Sequence, residues 1–154
     1  MVVREAGLIF RGFTLVKKTF HKTDRGKIDI DLRSGLLDAI MSFAESAFME
    51  SSLEYFEGEK YIIVFTKEKI MSDDSIEPES LTSYVILDRE KKTEKYIHKI
   101  IQPLLKNVIN EFTTIYTGKN LSEVSQFKNF KNNLDRIYGS DTKTIDQKLK
   151  GVFS

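Results

Sequence analysis

Tyr61-Ile62-Ile63-Val64-Phe65 is an unbroken run of five apolar residues, each of them β-branched or aromatic. A strand with one wet face would alternate apolar with polar positions, so a continuous run predicts a central strand covered on both faces. Upstream, Leu53, Tyr55 and Phe56 lead into Glu57-Gly58-Glu59, which predicts a strand joined to the run by a hairpin turn at Gly58. Downstream, Lys67 to Ser80 is polar and holds Asp73, Asp74, Glu77, Pro78 and Glu79; it reads as a mobile solvated loop. Leu81 to Leu87 then supplies a further strand, which stops at the charged residues from Asp88 to Lys92.

Toward the N-terminus, Ala6 to Phe10 and Phe13 to Phe20 read as two strands about a tight turn at Arg11-Gly12, where glycine supplies a positive φ. His21 to Lys27 reads as an exposed loop. From Asp31 the period changes. Leu32, Leu36, Ile40, Phe43 and Ala47, with Leu37, Met41, Ala44 and Phe48, recur at helical spacing and predict an amphipathic helix of about five turns. Asp29 or Asp31 can cap its free N–H groups, a better reading of that pair than a metal site, for which no further ligands are evident.

Toward the C-terminus, Tyr96, Ile97, Ile100, Ile101, Leu104, Leu105, Val108, Ile109, Phe112, Ile115 and Tyr116 predict one long helix over 93–117. Pro103 removes a backbone donor from it, so a kink is expected near Lys99, with Gly118 ending the helix. Asn120 with Glu123 suggests the cap of a further helix whose stripe is Leu121, Val124, Phe127, Leu134 and Ile137. Gly139-Ser140 ends it, and 139–154 reads as a short tail or helical turn.

The order is β-β-α-β-β-β-α-α in a single domain of 154 residues with its core over about 5–138. The chain carries 24 Lys and Arg against 23 Asp and Glu, a near-neutral balance that gives no whole-surface attraction to nucleic acid or lipid. The charge is unevenly divided: residues 1–90 hold 12 basic and 17 acidic side chains, and 91–154 hold 12 and 6. With no Cys there is no disulfide, thiolate nucleophile or Cys-ligated metal, which suits a reducing, cytoplasmic setting. No apolar run approaches the roughly 20 residues that span a bilayer, and residues 1–10 do not resemble a signal peptide.

Motifs for catalysis are missing. There is no G-x-x-x-x-G-K-[ST] and no G-x-G-x-x-G, and strands arriving as hairpins argue against a dinucleotide-binding unit. The two histidines, His21 and His98, are too few for a His-rich metal site, and the carboxylates of 73–79 sit in a loop that would not tune them. No catalytic residue, cofactor or metal is therefore expected. Gln126-Phe127-Lys128-Asn129-Phe130-Lys131-Asn132-Asn133 interleaves aromatics with lysines, a combination that can stack bases and pair phosphates. Helix packing explains the same aromatics, so nucleic acid is an unfavoured partner.

Across residues 5–138 the element order, the turns at Gly12 and Gly58 and the segment Leu32 to Phe48 resemble the longin, or SNARE-like, domains. Roadblock domains are more distant, since they place a helix before the first strand, where this chain has Gly7-Leu8-Ile9-Phe10. The resemblance implies an α+β fold: a five-stranded antiparallel sheet with one helix on one face and two C-terminal helices on the other. It further implies a non-enzymatic protein-interaction platform of the membrane-traffic or small-GTPase regulatory type. Its partner would be a small GTPase, a longin or roadblock subunit, or a second copy, and it would reach membranes only through such partners. Carried onto this chain, the expected contact region is Arg33, Asp38, Ser42 and Glu45 on the first helix with Leu53, Glu54 and Tyr55 on the neighbouring strand. Residues 139–154 are too short for a coiled-coil SNARE motif. The alternative from a different class is a module for nucleic acid or anionic lipid that uses the basic C-terminal helices; a small-molecule sensor is the third reading.

Overall fold

Arg11 and Gly12 both take positive φ, 52° and 78°, which is the two-residue turn that matches the twist of a hairpin. It joins β1 (Val3–Phe10) to β2 (Phe13–Thr19), with Phe10 facing Phe13 across the turn. The computed structural model describes residues 3–20, 54–57, 61–89 and 93–139. Three further strands, β3 (Glu54–Glu57), β4 (Tyr61–Ile70) and β5 (Glu79–Asp88), complete an antiparallel sheet in the order β2-β1-β5-β4-β3. The fold is thus mixed α+β. The expected set of five strands and three helices is not reproduced element for element, because the predicted helix over Leu32 to Phe48, the turn at Gly58 and the tail from Ser140 lie outside the described residues.

Tyr61 to Phe65 forms the start of β4, between β5 and β3, and all five side chains are buried. β4 runs further than expected, to Ile70, and β5 begins at Glu79, so the polar loop shrinks to the residues between them. The backbone ladder pairs Lys67 with Thr82, Glu68 with Leu81 and Ile70 with Glu79, and it satisfies the main chain whatever the side chains are. The loop is also tethered to the end of the helical rod by its backbone. The N–H of Gly118 donates to the Met71 carbonyl at 2.8 Å, and that of Asp73 donates to the Lys119 carbonyl at 3.0 Å.

The helical rod begins with α1 (Thr93–Tyr96), passes through a π-turn at Ile97–Ile101 and continues as α2 (Gln102–Tyr116). The kink expected near Lys99 takes the form of this π-turn, in which the Gln102 N–H donates to the Ile97 carbonyl; Pro103 follows in the first turn of α2, where a missing N–H costs least. Gly118, at φ 82°, ends the rod as expected. The next element is not the single capped helix that was predicted. Asn120 Oδ1 accepts from the Ser122 N–H at 3.0 Å, and a 3₁₀ helix (Val124–Phe130) then leads into α3 (Lys131–Tyr138). Asn120 and Glu123 close a turn instead of forming a capping box.

Val3, Ala6, Leu8 and Phe10 of β1 join Val85 and Leu87 of β5 and the apolar faces of α2, the 3₁₀ helix and α3 in one buried cluster. Phe112 lies at its centre, its ring centroid 4.7 Å from Tyr116, 5.2 Å from Phe127 and 5.3 Å from Phe130. The other sheet face carries a second buried cluster, Ile9, Tyr61, Ile63, Phe65, Tyr84 and Ile86. The continuous run is therefore split between two clusters. The segment predicted to cover this second face, Leu32 to Phe48, lies outside the described residues. Among the described residues, no helix is long and apolar enough to cross a membrane.

Candidate functional site

Of the residues expected to contact partners, Arg33, Asp38, Ser42, Glu45 and Leu53 lie outside the described residues. Glu54 and Tyr55 fall on β3, opposite Phe65 and Val64 of β4, at the edge of the sheet farthest from β2. The chemistry that is visible gathers at the β2 end of the molecule.

There the hairpin turn meets the β4–β5 loop. The Arg11 guanidinium donates to both oxygens of Asp74, at 3.0 and 3.1 Å, and to both of Glu79, at 2.6 and 2.9 Å. Its carbon sits 4.8 Å from the centroid of the Phe10 ring, and Ser75 Oγ donates to Glu79 at 2.6 Å. Hydrogen bonds from Arg11 hold the Asp74 and Glu79 carboxyls below their ordinary values, and those carboxylates raise Arg11 in turn. These acids are therefore structural partners of Arg11 as well as members of a polar loop. A carboxylate whose pKa is lowered by folding contributes stability above its unfolded pKa and loses it as pH falls through the folded value. Arg11→Gln should accordingly lower the melting temperature at pH 7, and the gap from wild type should close as pH drops below 4.5 and then 3.8, the ordinary values of Glu79 and Asp74. A gap independent of pH down to 3 would assign the effect to the turn conformation instead.

Behind the clamp, Ser72 is buried and ties the loop to the end of α2. Its Oγ accepts from the Leu121 N–H and donates to the Lys119 carbonyl, both at 3.2 Å. Ser72→Ala takes the acceptor from the Leu121 N–H, while the Lys119 carbonyl keeps the Asp73 N–H, and should cost about 1–3 kcal/mol in urea unfolding, against near zero for exposed Ser122→Ala.

These two fastenings position a groove between β2 and the 3₁₀ helix. One part, of about 470 Å³, is lined by Phe10, Phe13, Leu15, Leu121 and Val124; the adjoining part, of about 350 Å³, by Val16, Lys17, Phe127, Lys128 and Lys131. Thr14, Leu15 and Val124 line both. Phe13 is 71% exposed and Val124 45%, although the sequence pattern puts Phe13 on an apolar strand and Val124 on a buried helical stripe. Val124 shares the i, i+3, i+6 line of the 3₁₀ helix with the buried Phe127 and Phe130, but it is the first residue of that helix and stands at the end of the line that opens on the groove. An exposed Phe forgoes roughly 1.5–3 kcal/mol of burial, and two exposed apolar side chains beside one groove make it the candidate site.

Elsewhere, burial and then the charge of Lys69 lower the pKa of Lys67, and burial raises that of Tyr116. His98 is exposed on the π-turn. Among the described residues, no group of three or more His, Asp or Glu is placed to hold a metal. Sequence reading missed both the Arg11 clamp and the groove. The clamp joins residues 63 and 68 positions apart and left no local signal, whereas Phe13 directly after the turn was a signal, an aromatic at the first position of a strand. No family model matches the chain, and neither a curated protein nor a solved structure is similar enough to it to count as a match.

Proposed function

We propose that the chain is a non-enzymatic protein-interaction platform of the membrane-traffic or small-GTPase regulatory type, which binds a small GTPase or a longin- or roadblock-like subunit. One observation carries the reading: among the described residues β2 is an edge strand of the sheet, and it presents Phe13 to solvent beside an apolar groove at the end of a well-fastened scaffold. Open sheet edges and exposed apolar patches are where proteins take up other proteins. The element order that resembles the longin domains supports the traffic or GTPase setting. Against the alternative of a base-stacking nucleic-acid module stand Phe127 and Phe130, the aromatics interleaved with lysines, which are spent in the core at 0% and 1% exposure.

Size exclusion with light scattering tests the reading, with the chain alone and mixed with small GTPases of the same cell in GDP, GTP-analogue and nucleotide-free forms, and with longin and roadblock subunits. A stable complex with one of these is the expected result. Failure to bind any of them in any state removes the proposed partner class.

A further inference from the structure

We infer that the groove between β2 and the 3₁₀ helix receives a short extended segment of a partner protein, one that sets acidic side chains beside apolar anchors. The inference rests on the protein-binding reading above and names the chemistry of what is bound.

Shape is the first argument. Phe13 to Lys17 spans about 13 Å of edge strand at ~3.3 Å per residue, room for four or five extended residues. The floor is apolar, built on Leu15 and Phe127, with Phe13 and Val124 standing exposed on either wall. Apolar side chains at alternate positions of such a segment would enter it.

Charge is the second. Lys17, Lys128 and Lys131 are exposed along the groove, and none is ion-paired among the described residues. Among the described residues no acidic side chain lines either part of it. Arg11, at one end, is already neutralised by Asp74 and Glu79. Three uncompensated ammonium groups around an apolar floor favour an acidic segment and disfavour a basic one.

The backbone supplies the third. Among the described residues β2 is hydrogen-bonded on one side only, to β1, yet its ladder is interrupted: Leu8 faces Val16 and Ile9 faces Thr14, which leaves Leu15 as a bulge. A bulge blunts an edge against indiscriminate strand addition. Recognition then falls to side chains, which is where the groove and the lysines lie. A bilayer surface is wide and flat, whereas these lysines are gathered about a short channel, so a peptide fits the arrangement better than a membrane does.

Fluorescence anisotropy on the full chain tests this with an array of labelled ten-residue peptides that intersperse Asp or Glu with Leu, Ile or Phe in every register, each beside a counterpart carrying Lys for the acids. The acidic peptides are expected to bind, with their Lys counterparts about tenfold weaker or more. The K128E/K131E double variant and Phe13→Ser should each weaken the acidic peptides by about tenfold, while their melting temperatures stay at the wild-type value because all three side chains are exposed. The inference is overturned if no acidic peptide binds, if the Lys counterparts bind equally, or if both variants bind as wild type does. Phosphatidylserine vesicles and a thymidine oligonucleotide are run in parallel. Binding of either that K128E/K131E abolishes, without peptide binding, reassigns the groove to an anionic surface. A dimer that Phe13→Ser dissolves, again without peptide binding, reassigns it to a second copy. Acidic peptides bound by a chain that takes no GTPase or related subunit would leave the groove standing and remove the partner class; a GTPase complex indifferent to K128E/K131E would do the reverse.

Discussion

Phe112→Ala is expected to lower the stability of the chain by about 3–5 kcal/mol, measured as a shift of the urea midpoint at unchanged slope. Phe112 is fully buried, and three aromatic rings lie within 5.3 Å of its centroid. Those rings come from separate elements, Tyr116 from α2 itself and Phe127 and Phe130 from the 3₁₀ helix. A void at Phe112 is therefore bordered by groups that cannot all collapse into it, and the cost of the void adds to that of the lost burial. Edge-to-face contact with Phe130, at an interplanar angle of 88°, is lost as well. A loss below about 1 kcal/mol would mean that the cluster repacks freely and that the 3₁₀ helix is not held by it.

The second large effect belongs to a glycine. Gly7 lies in the middle of β1, between Lys17 of β2 and Tyr84 of β5. A methyl group there would stand 2.6 Å from the Val16 carbonyl oxygen and 2.8 and 2.9 Å from the Tyr84 ring and hydroxyl. Tyr84 could swing away only by giving up its 2.7 Å hydrogen bond to Glu5, and the Val16 oxygen belongs to the ladder and cannot move alone. Gly7→Ala should thus cost about 2–3 kcal/mol, the upper part of the range for overpacked cores, and lower the melting temperature by roughly 4–12 °C. Adding Tyr84→Ala should not restore stability, because the carbonyl clash remains. Rescue by that second change would assign the whole effect to the ring.

How much could be read beforehand depended on how local the cause was. Tyr61 to Phe65 declared a central strand because burial on both faces leaves no polar position, and Arg11-Gly12 declared a turn because two positive φ values have few sequence solutions. Gly118 and Pro103 were legible for the same reason, each acting on its own backbone. What failed to show was decided across the fold. Lys67 to Ile70 looks like loop but is strand, since β5 supplies partners for its main chain. Val124 has the spacing of a buried stripe and lies in line with Phe127 and Phe130, yet it is exposed at the first residue of the 3₁₀ helix, where the groove opens. Of the contact region expected from the longin resemblance, only Glu54 and Tyr55 are described, both on the strand edge away from the groove. The groove itself had only Phe13 to announce it.

The strand order also sets a timetable for synthesis. β1 is flanked by β2, its neighbour in the chain, and by β5, whose Leu87 pairs with Val3 some 84 positions away. As the chain leaves the ribosome, the first hairpin can close at once, but its second partner is some 60 to 70 residues behind it. At ordinary elongation rates that interval lasts roughly 3 to 14 s. Throughout it, the inner edge of β1 and the apolar side chains of Leu8 and Phe10 face the cell without the rest of their sheet, a standing invitation to chaperones and to neighbouring nascent chains. The bulged, lysine-bearing edge of β2 guards the hairpin's outer side during those seconds, leaving the inner side as the place where assembly can go wrong.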